Sequence, residues 1–259
     1  MTFVQPVVLL GIGEMGGVFA RALLRSGSPV FPVRRHDDLG TAAAAVPSPS
    51  LVLVTVGEDD LDPVLSNMPA PWRSRVGLIQ NELLPRSWEP HGISDPTVGA
   101  VWFEKKAGRP VTVIIPSPFA GPAAGMLASA LVSIGIAAFE VDRGDLLSHL
   151  IAKNCYILTA NIAGLRVGGN VGALWNQHRR LADAIVEDVL VIQEALVGAA
   201  VDRERAIAGM AEAFAGDPDH GTTGRSAPRR LQRALDQAAA AGLDVPALRA
   251  IGQEQGLVV

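Results

Sequence analysis

Cysteine is almost missing from this chain, and so is any excess of basic charge. The single cysteine, Cys155, excludes an intramolecular disulfide and suits a reducing compartment. Lys and Arg number 22 against 26 Asp and Glu, a formal net charge of -4, which leaves no broad basic surface for a nucleic-acid backbone. A small anion is still allowed, because one pocket can be basic on an acidic protein. The five histidines, His36, His91, His149, His178 and His220, are scattered without ligand spacing, so no built metal site is expected. The first ten residues lack the positive start of a secretory signal, and the expectation is a cytoplasmic protein. Charge is also absent from residues 110–139, a stretch long enough to span a bilayer. Pro116, Pro118, Gly121, Pro122 and Gly125 interrupt it and would leave backbone groups unsatisfied in lipid. It reads instead as buried strand, loop, helix and strand, with no membrane partner.

What is present is apolar. Hydrophobic residues make up 49% of the 259 and charged ones 19%, which suits a packed core and a division into one larger and one smaller domain. Short apolar runs at 7–10, 30–33, 51–56, 76–79, 98–103, 111–115 and 137–141 read as buried strands. Helix-compatible stretches at 16–26, 61–68 and 123–134 lie between them, an alternation that predicts a mostly parallel sheet covered on both faces. After Asp142 no strand-like run remains. Helical periods continue to the end, broken at 168–172, 198–202, 216–224 and 242–246. The pattern predicts an α/β domain of Rossmann type, a doubly wound sheet, over 1–142 and an all-α domain over 143–259.

Gly11, Ile12, Gly13, Glu14, Met15 and Gly16 follow the first strand and open the first helix. In that setting Gly11 serves a tight turn, Gly13 the approach of a pyrophosphate, and Gly16 close helix packing, while the helix N-terminus offers an anion site. The next strand ends in Arg34 and Arg35, where an NAD-binding domain places an acidic residue against the ribose. Two guanidinium groups there can hold a 2′-phosphate through charge-assisted bonds, so NADP(H) is expected over NAD(H). The alternative is a pair of solvated arginines matched with Asp37 and Asp38.

These features, with Gln80-Asn81 after a strand, the Gly121-Pro122 step and a lysine, Lys153, on the helix that opens the second half, make the chain resemble the ketopantoate reductases over nearly its whole length. The resemblance implies a C-terminal domain like that of 6-phosphogluconate dehydrogenase. It implies that Asn81 lies beside the nicotinamide ribose and substrate, and that Lys153 is the proton donor. Two asparagines usually follow that lysine. Here those positions hold Ile157 and Asn161, with Asn154 offering an amide nearby. Two departures concern the substrate. Gly57-Glu58-Asp59-Asp60 stands where the family commonly has a lysine, and the segment from Arg225 to Arg230 shows no counterpart of its late glutamate. Thr222, Thr223 or Ser226 could replace some of that bonding, and Arg225, Arg229 or Arg230 could bind a carboxylate.

Helical geometry treats the same residues independently. At roughly 100° per residue, Asn154 and Asn161 fall almost on one line and Lys153 sits roughly 80° from Asn161, amid Leu147, Leu150, Ile157, Leu158 and Leu165. Polar groups in an apolar sector need partners. A cofactor-facing cleft would supply them; otherwise Lys153 snorkels to solvent and the asparagines bond neighbouring helices. Cys155, with no base identifiable for it, reads as a structural thiol. Lys105 and Lys106 read as a solvated turn or as substrate contacts. The expected activity is hydride transfer from NADPH to the carbonyl of a small-molecule 2-oxo acid or ketone, with Lys153 at the oxygen and Asn161, Asn154 and Asn81 orienting the reactants. An imine reductase and a non-catalytic NADPH-binding sensor are the alternatives. Apolar helix faces could support a homodimer.

Overall fold

The computed structural model describes residues 4–257. They form two compact units that divide between Leu147 and Ser148, within one long helix.

In the first unit the elements run β1 (Val7–Leu10), α1 (Glu14–Arg25), β2 (Val30–Val33), α2 (Leu39–Ala45), β3 (Leu51–Val54), α3 (Glu58–Ser66), β4 (Val76–Leu78), β5 (Thr97–Gly99), β6 (Phe103–Lys105), β7 (Val111–Val113), β8 (Ser117–Ala120), α4 (Ala124–Ser133) and β9 (Ala138–Glu140). Seven strands make one sheet in the order β2-β1-β3-β4-β5-β8-β9, parallel throughout except where β8 runs against β5. Strands β1 and β3 are Val-Val-Leu-Leu and Leu-Val-Leu-Val, buried at every position. Continuous apolar runs of this kind belong to strands covered on both faces. Helices α1 and α4 pack together, and Phe19, Phe103 and Phe119 join the core there, with Phe19 6.0 and 6.5 Å from the other two rings.

The sheet departs from expectation at its far side. The apolar run 98–103 is not one strand. It leaves the main sheet after Gly99 and re-forms as β6, paired with β7 in a separate hairpin. The bend is held by the Ser117 hydroxyl, which accepts from the Trp102 amide at 2.8 Å, and by the Pro118 carbonyl, which accepts from Ala100 at 3.0 Å. Strand β8 lies in the segment whose prolines suggest a loop. Pro118 costs it a donor but not its carbonyl acceptor. Helix α2, capped by the Asp38 side chain on the Thr41 amide, is an addition to the expected elements, since seven residues carry little periodicity.

The helix α5 (Arg143–Val167) leads into α6 (Val171–Gln177), α7 (Arg179–Val197), α8 (Arg203–Gly216), α9 (Ala227–Ala240) and α10 (Pro246–Glu254). No helix among the described residues is long and apolar enough to cross a membrane. Residues 150–160 of α5 are all buried. Burial pushes the Cys155 thiol up to about 12, with the Glu187 charge adding to it, so this sulfur stays protonated and unreactive. In the second unit α7 packs on α9 and α10. The buried Asp188 carboxylate of α7 accepts the Leu248 amide at 3.0 Å and so caps α10, whose own preceding residue is Val245. Burial holds this carboxyl above its ordinary range, while the bonds from Leu248 and Ala247 pull it down.

Asp188→Ala is expected to destabilise the protein by about 1–2 kcal/mol through loss of the cap, measured by urea unfolding. A folded-state pKa above the unfolded value means that protonation favours the folded state. The deficit should therefore widen, not narrow, as the pH falls from neutrality through the carboxylate range.

Candidate functional site

Strand order reverses at β1, which lies between β2 and β3, and such a reversal opens a crevice at the carboxyl ends of the strands. A pocket of about 590 Å³ lies there. It is lined from three consecutive strand ends: Leu10 to Gly13 after β1, Val33, Arg34, Arg35, Asp37 and Leu39 after β2, and Thr55 to Gly57 with Asp60, Pro63, Val64 and Asn67 after β3.

The glycine loop divides by role. Gly11 has φ 91°, a left-handed conformation that glycine adopts without cost, and its amide donates to Val33 at 2.9 Å. The Thr55 hydroxyl donates to the Leu10 carbonyl at 3.1 Å and to Gly11 at 2.5 Å, fastening the loop to β3. Gly13 is the N-cap of α1 and carries no side chain to cap it. A Cβ added there would meet nothing within 4 Å, so the loop leaves open space beside Gly13. Ile12, half exposed, lines the pocket beside it. Glu14, Met15 and Gly16 do not line it. Glu14 pairs with Lys105 at 3.0 Å, Met15 packs on the core, and a Cβ at Gly16 would lie 2.3 Å from the Gly11 carbonyl oxygen.

Both arginines line the pocket, each with an acidic neighbour. Arg34 bonds Asp37 through its backbone amide, Nε and Nη2 at 2.8, 3.2 and 3.1 Å. The Arg34 guanidinium is thereby held above its usual range and the Asp37 carboxyl below it. Arg35 Nη2 lies 2.6 Å from Asp60 of α3. Asp38 pairs with neither arginine, since it caps α2. Lys106 pairs with Glu104, on the hairpin.

Asn81 lies outside this pocket. Its amide donates to Glu58 at 2.8 Å, while Gln80 ties β4 to the Val54 carbonyl at 2.8 Å. Glu82, directly after Asn81, has φ 58°, a left-handed conformation that non-glycine residues rarely adopt.

In the second unit Lys153, Asn154 and Asn161 all lie on α5. Lys153 is 4% exposed, so it does not snorkel to solvent. Asn154 donates to Gln193 of α7 at 2.8 Å. Asn161 donates to the Thr222 carbonyl at 3.2 Å and accepts from Arg230 Nη1 at 2.7 Å. Arg230 is itself buried, on α9. No group of three or more metal-ligating side chains occurs among the described residues.

Sequence reasoning marked Gly57 to Asp60 only as a departure from the resembling family's lysine and assigned none of the third wall, Thr55 to Gly57 with Asp60, Pro63, Val64 and Asn67, to the cofactor site. A signal for it is Gly57 directly after a buried strand, as Gly11 follows β1.

No protein-family model matches the chain, and no curated protein sequence is similar to it. Solved structures are similar over almost the full length. The 2-dehydropantoate 2-reductase of Porphyromonas gingivalis is 15% identical with a TM-score of 0.66, covering 97% of this chain and 100% of its own. A dimeric ketopantoate reductase from Staphylococcus aureus is 17% identical with a TM-score of 0.67, covering 96% of each chain. A D-mandelate dehydrogenase solved with NADH is 14% identical with a TM-score of 0.67, covering 98% of this chain and 100% of its own. The chain therefore has the fold of these reductases and dehydrogenases.

Gly16 and Gly13 should respond oppositely to a methyl group. Gly16→Ala drives a Cβ into the Gly11 carbonyl and should cost about 1–3 kcal/mol. Gly13→Ala, with φ -72° and open space, should leave the thermal midpoint within about two degrees of wild type. Calorimetry of the two variants checks the contrast.

Proposed function

We propose that the chain is an NADPH-dependent reductase that transfers a hydride to the carbonyl carbon of a small 2-oxo acid. The observation that carries the reading is the pocket at the sheet's reversal. The glycine loop from Gly11 to Gly13 and two arginines after β2 line one cavity, with α1 starting directly behind Gly13. That donor set suits a dinucleotide: amides for the pyrophosphate, guanidinium groups for a 2′-phosphate, and apolar lining from Leu39, Pro63 and Val64 for a base. Bound NADPH would supply the hydride. The similar structures, ketopantoate reductases and an NADH-bound D-mandelate dehydrogenase, support this class of chemistry.

Lys153 is the proposed proton donor. Its ammonium stabilises the oxygen as negative charge develops there and delivers the proton that completes the alcohol. Asn81 and Asn161 orient the reactants, and Asn154 contributes by holding α5 against α7. The protein works as a cytoplasmic homodimer in this reading, supported by the dimeric S. aureus neighbour. One observation favours a non-catalytic NADPH sensor instead. Asn154 and Asn161 are both engaged with Gln193, Thr222 and Arg230, as packing amides would be.

Consumption of NADPH across a panel of 2-oxo acids, ketones and imines separates these readings. Turnover of 2-oxo acids is the expected result, preferential turnover of imines would change the substrate class, and tight binding without turnover would favour the sensor. With an active substrate in hand, Lys153→Met should slow the single-turnover step by about a hundred- to ten-thousandfold and leave the NADPH dissociation constant within a few-fold. A loss below about tenfold removes Lys153 from the chemistry.

Cofactor choice is tested apart from turnover. Replacing Arg34 and Arg35 together by Ala should weaken NADPH about ten- to a hundredfold more than NADH in calorimetric titration. Equal losses would mean that the arginines do not read the phosphate.

A further inference from the structure

The two arginines of the pocket are held differently. Arg34 is tied to Asp37 within one turn, and Asp37 also accepts the Arg34 backbone amide, so that pair is a local feature of the β2 end. Arg35 reaches across instead. Its guanidinium meets Asp60, 25 residues away on the first turn of α3, and both residues line the pocket. The side chains are 74% and 46% exposed, so water screens the pair and it can exchange partners.

We infer that Asp60 is a cofactor-specificity determinant that competes with a nucleotide 2′-phosphate for Arg35. The inference rests on the nucleotide-binding reading of this pocket. A phosphate that engages Arg35 must displace the Asp60 carboxylate and then remain near it, two negative groups around one guanidinium. The charged residues lining the pocket are Arg34, Arg35, Asp37 and Asp60, so two positive charges are offset by two negative ones. A ribose 2′-hydroxyl faces the opposite situation, because a carboxylate accepts its hydrogen bond. The acid that NAD-binding domains place after the second strand comes here from α3, the helix after the third strand. Its effect is to oppose NADPH and to favour NADH, narrowing the preference that Arg34 and Arg35 create. Of the other acids in that turn, Glu58 is engaged by Asn81.

The adenosine half alone tests this, with 2′,5′-ADP and 5′-AMP titrated calorimetrically against the full-length protein. Asp60→Asn keeps the shape and removes the charge. It should tighten 2′,5′-ADP by about five- to twentyfold and change 5′-AMP by less than about twofold or weaken it. Against an Arg35→Ala background the same substitution should shift the ratio by less than about twofold, since the competition needs the arginine. A merely helix-stabilising role for Asp60 would move the thermal midpoint and both nucleotides alike. An unchanged ratio, or the same change without Arg35, overturns the inference while leaving nucleotide binding intact. If the wild-type protein binds neither nucleotide, the nucleotide-binding reading itself fails and the inference falls with it.

Discussion

Gly16 approaches the Gly11 carbonyl so closely that no larger residue fits, and this contact sets how α1 sits on the turn before it. The same turn is fastened to both neighbouring strands. Gly11 donates to Val33 at the end of β2, and the Thr55 hydroxyl at the end of β3 donates to Leu10 and Gly11. Three strand ends are thus joined through one glycine-bearing loop, and the pocket is the space that this joining leaves. Because the loop's own bonds hold it, the shape of this pocket does not wait on a ligand, and the ordering cost of the proposed nucleotide binding would be small.

That fixed frame explains how a chain of net charge -4 can hold two guanidinium groups at one pocket. The arginines stand on the loop after β2, and the acids that offset them come from two directions, Asp37 along the chain and Asp60 across the pocket. Paired guanidinium groups are pre-oriented at little net energy, since exposed pairs contribute little. The cost appears only when a ligand must replace one of the acids. Orientation and competition are therefore two consequences of the same contacts.

What the sequence disclosed follows from the range of the forces involved. Strands β1 and β3 are legible because burial on both faces demands an unbroken apolar run, and the glycine loop because its conformation is local. The run 98–103 is equally apolar, but composition does not say which sheet a strand joins. That was decided by Ser117 and Pro118, residues distant in sequence from the bend they hold. Prolines mask β8 because proline removes a donor, whereas Pro118 contributes only its carbonyl, to Ala100. Arg34 and Arg35 stood out from their place after a strand, whereas Asp60 became part of the pocket only through folding, as did Gln193 as the partner of Asn154.

The polar residues of α5 show what such hidden partners do. Asn154 is fastened to α7, and Asn161, seven residues on and almost in line with it, is fastened to the Thr222 carbonyl and to Arg230. Two anchors along one edge, nearly two turns apart, fix the helix against rotation about its own axis. Lys153 then has its direction set by them, roughly 100° from the first anchor and 80° from the second. A long flexible side chain cannot define its own position, but one rooted on a helix held at two points begins from a defined place. Both amides are thus spent on holding α5 in place, and Lys153 takes its position from the helix they hold.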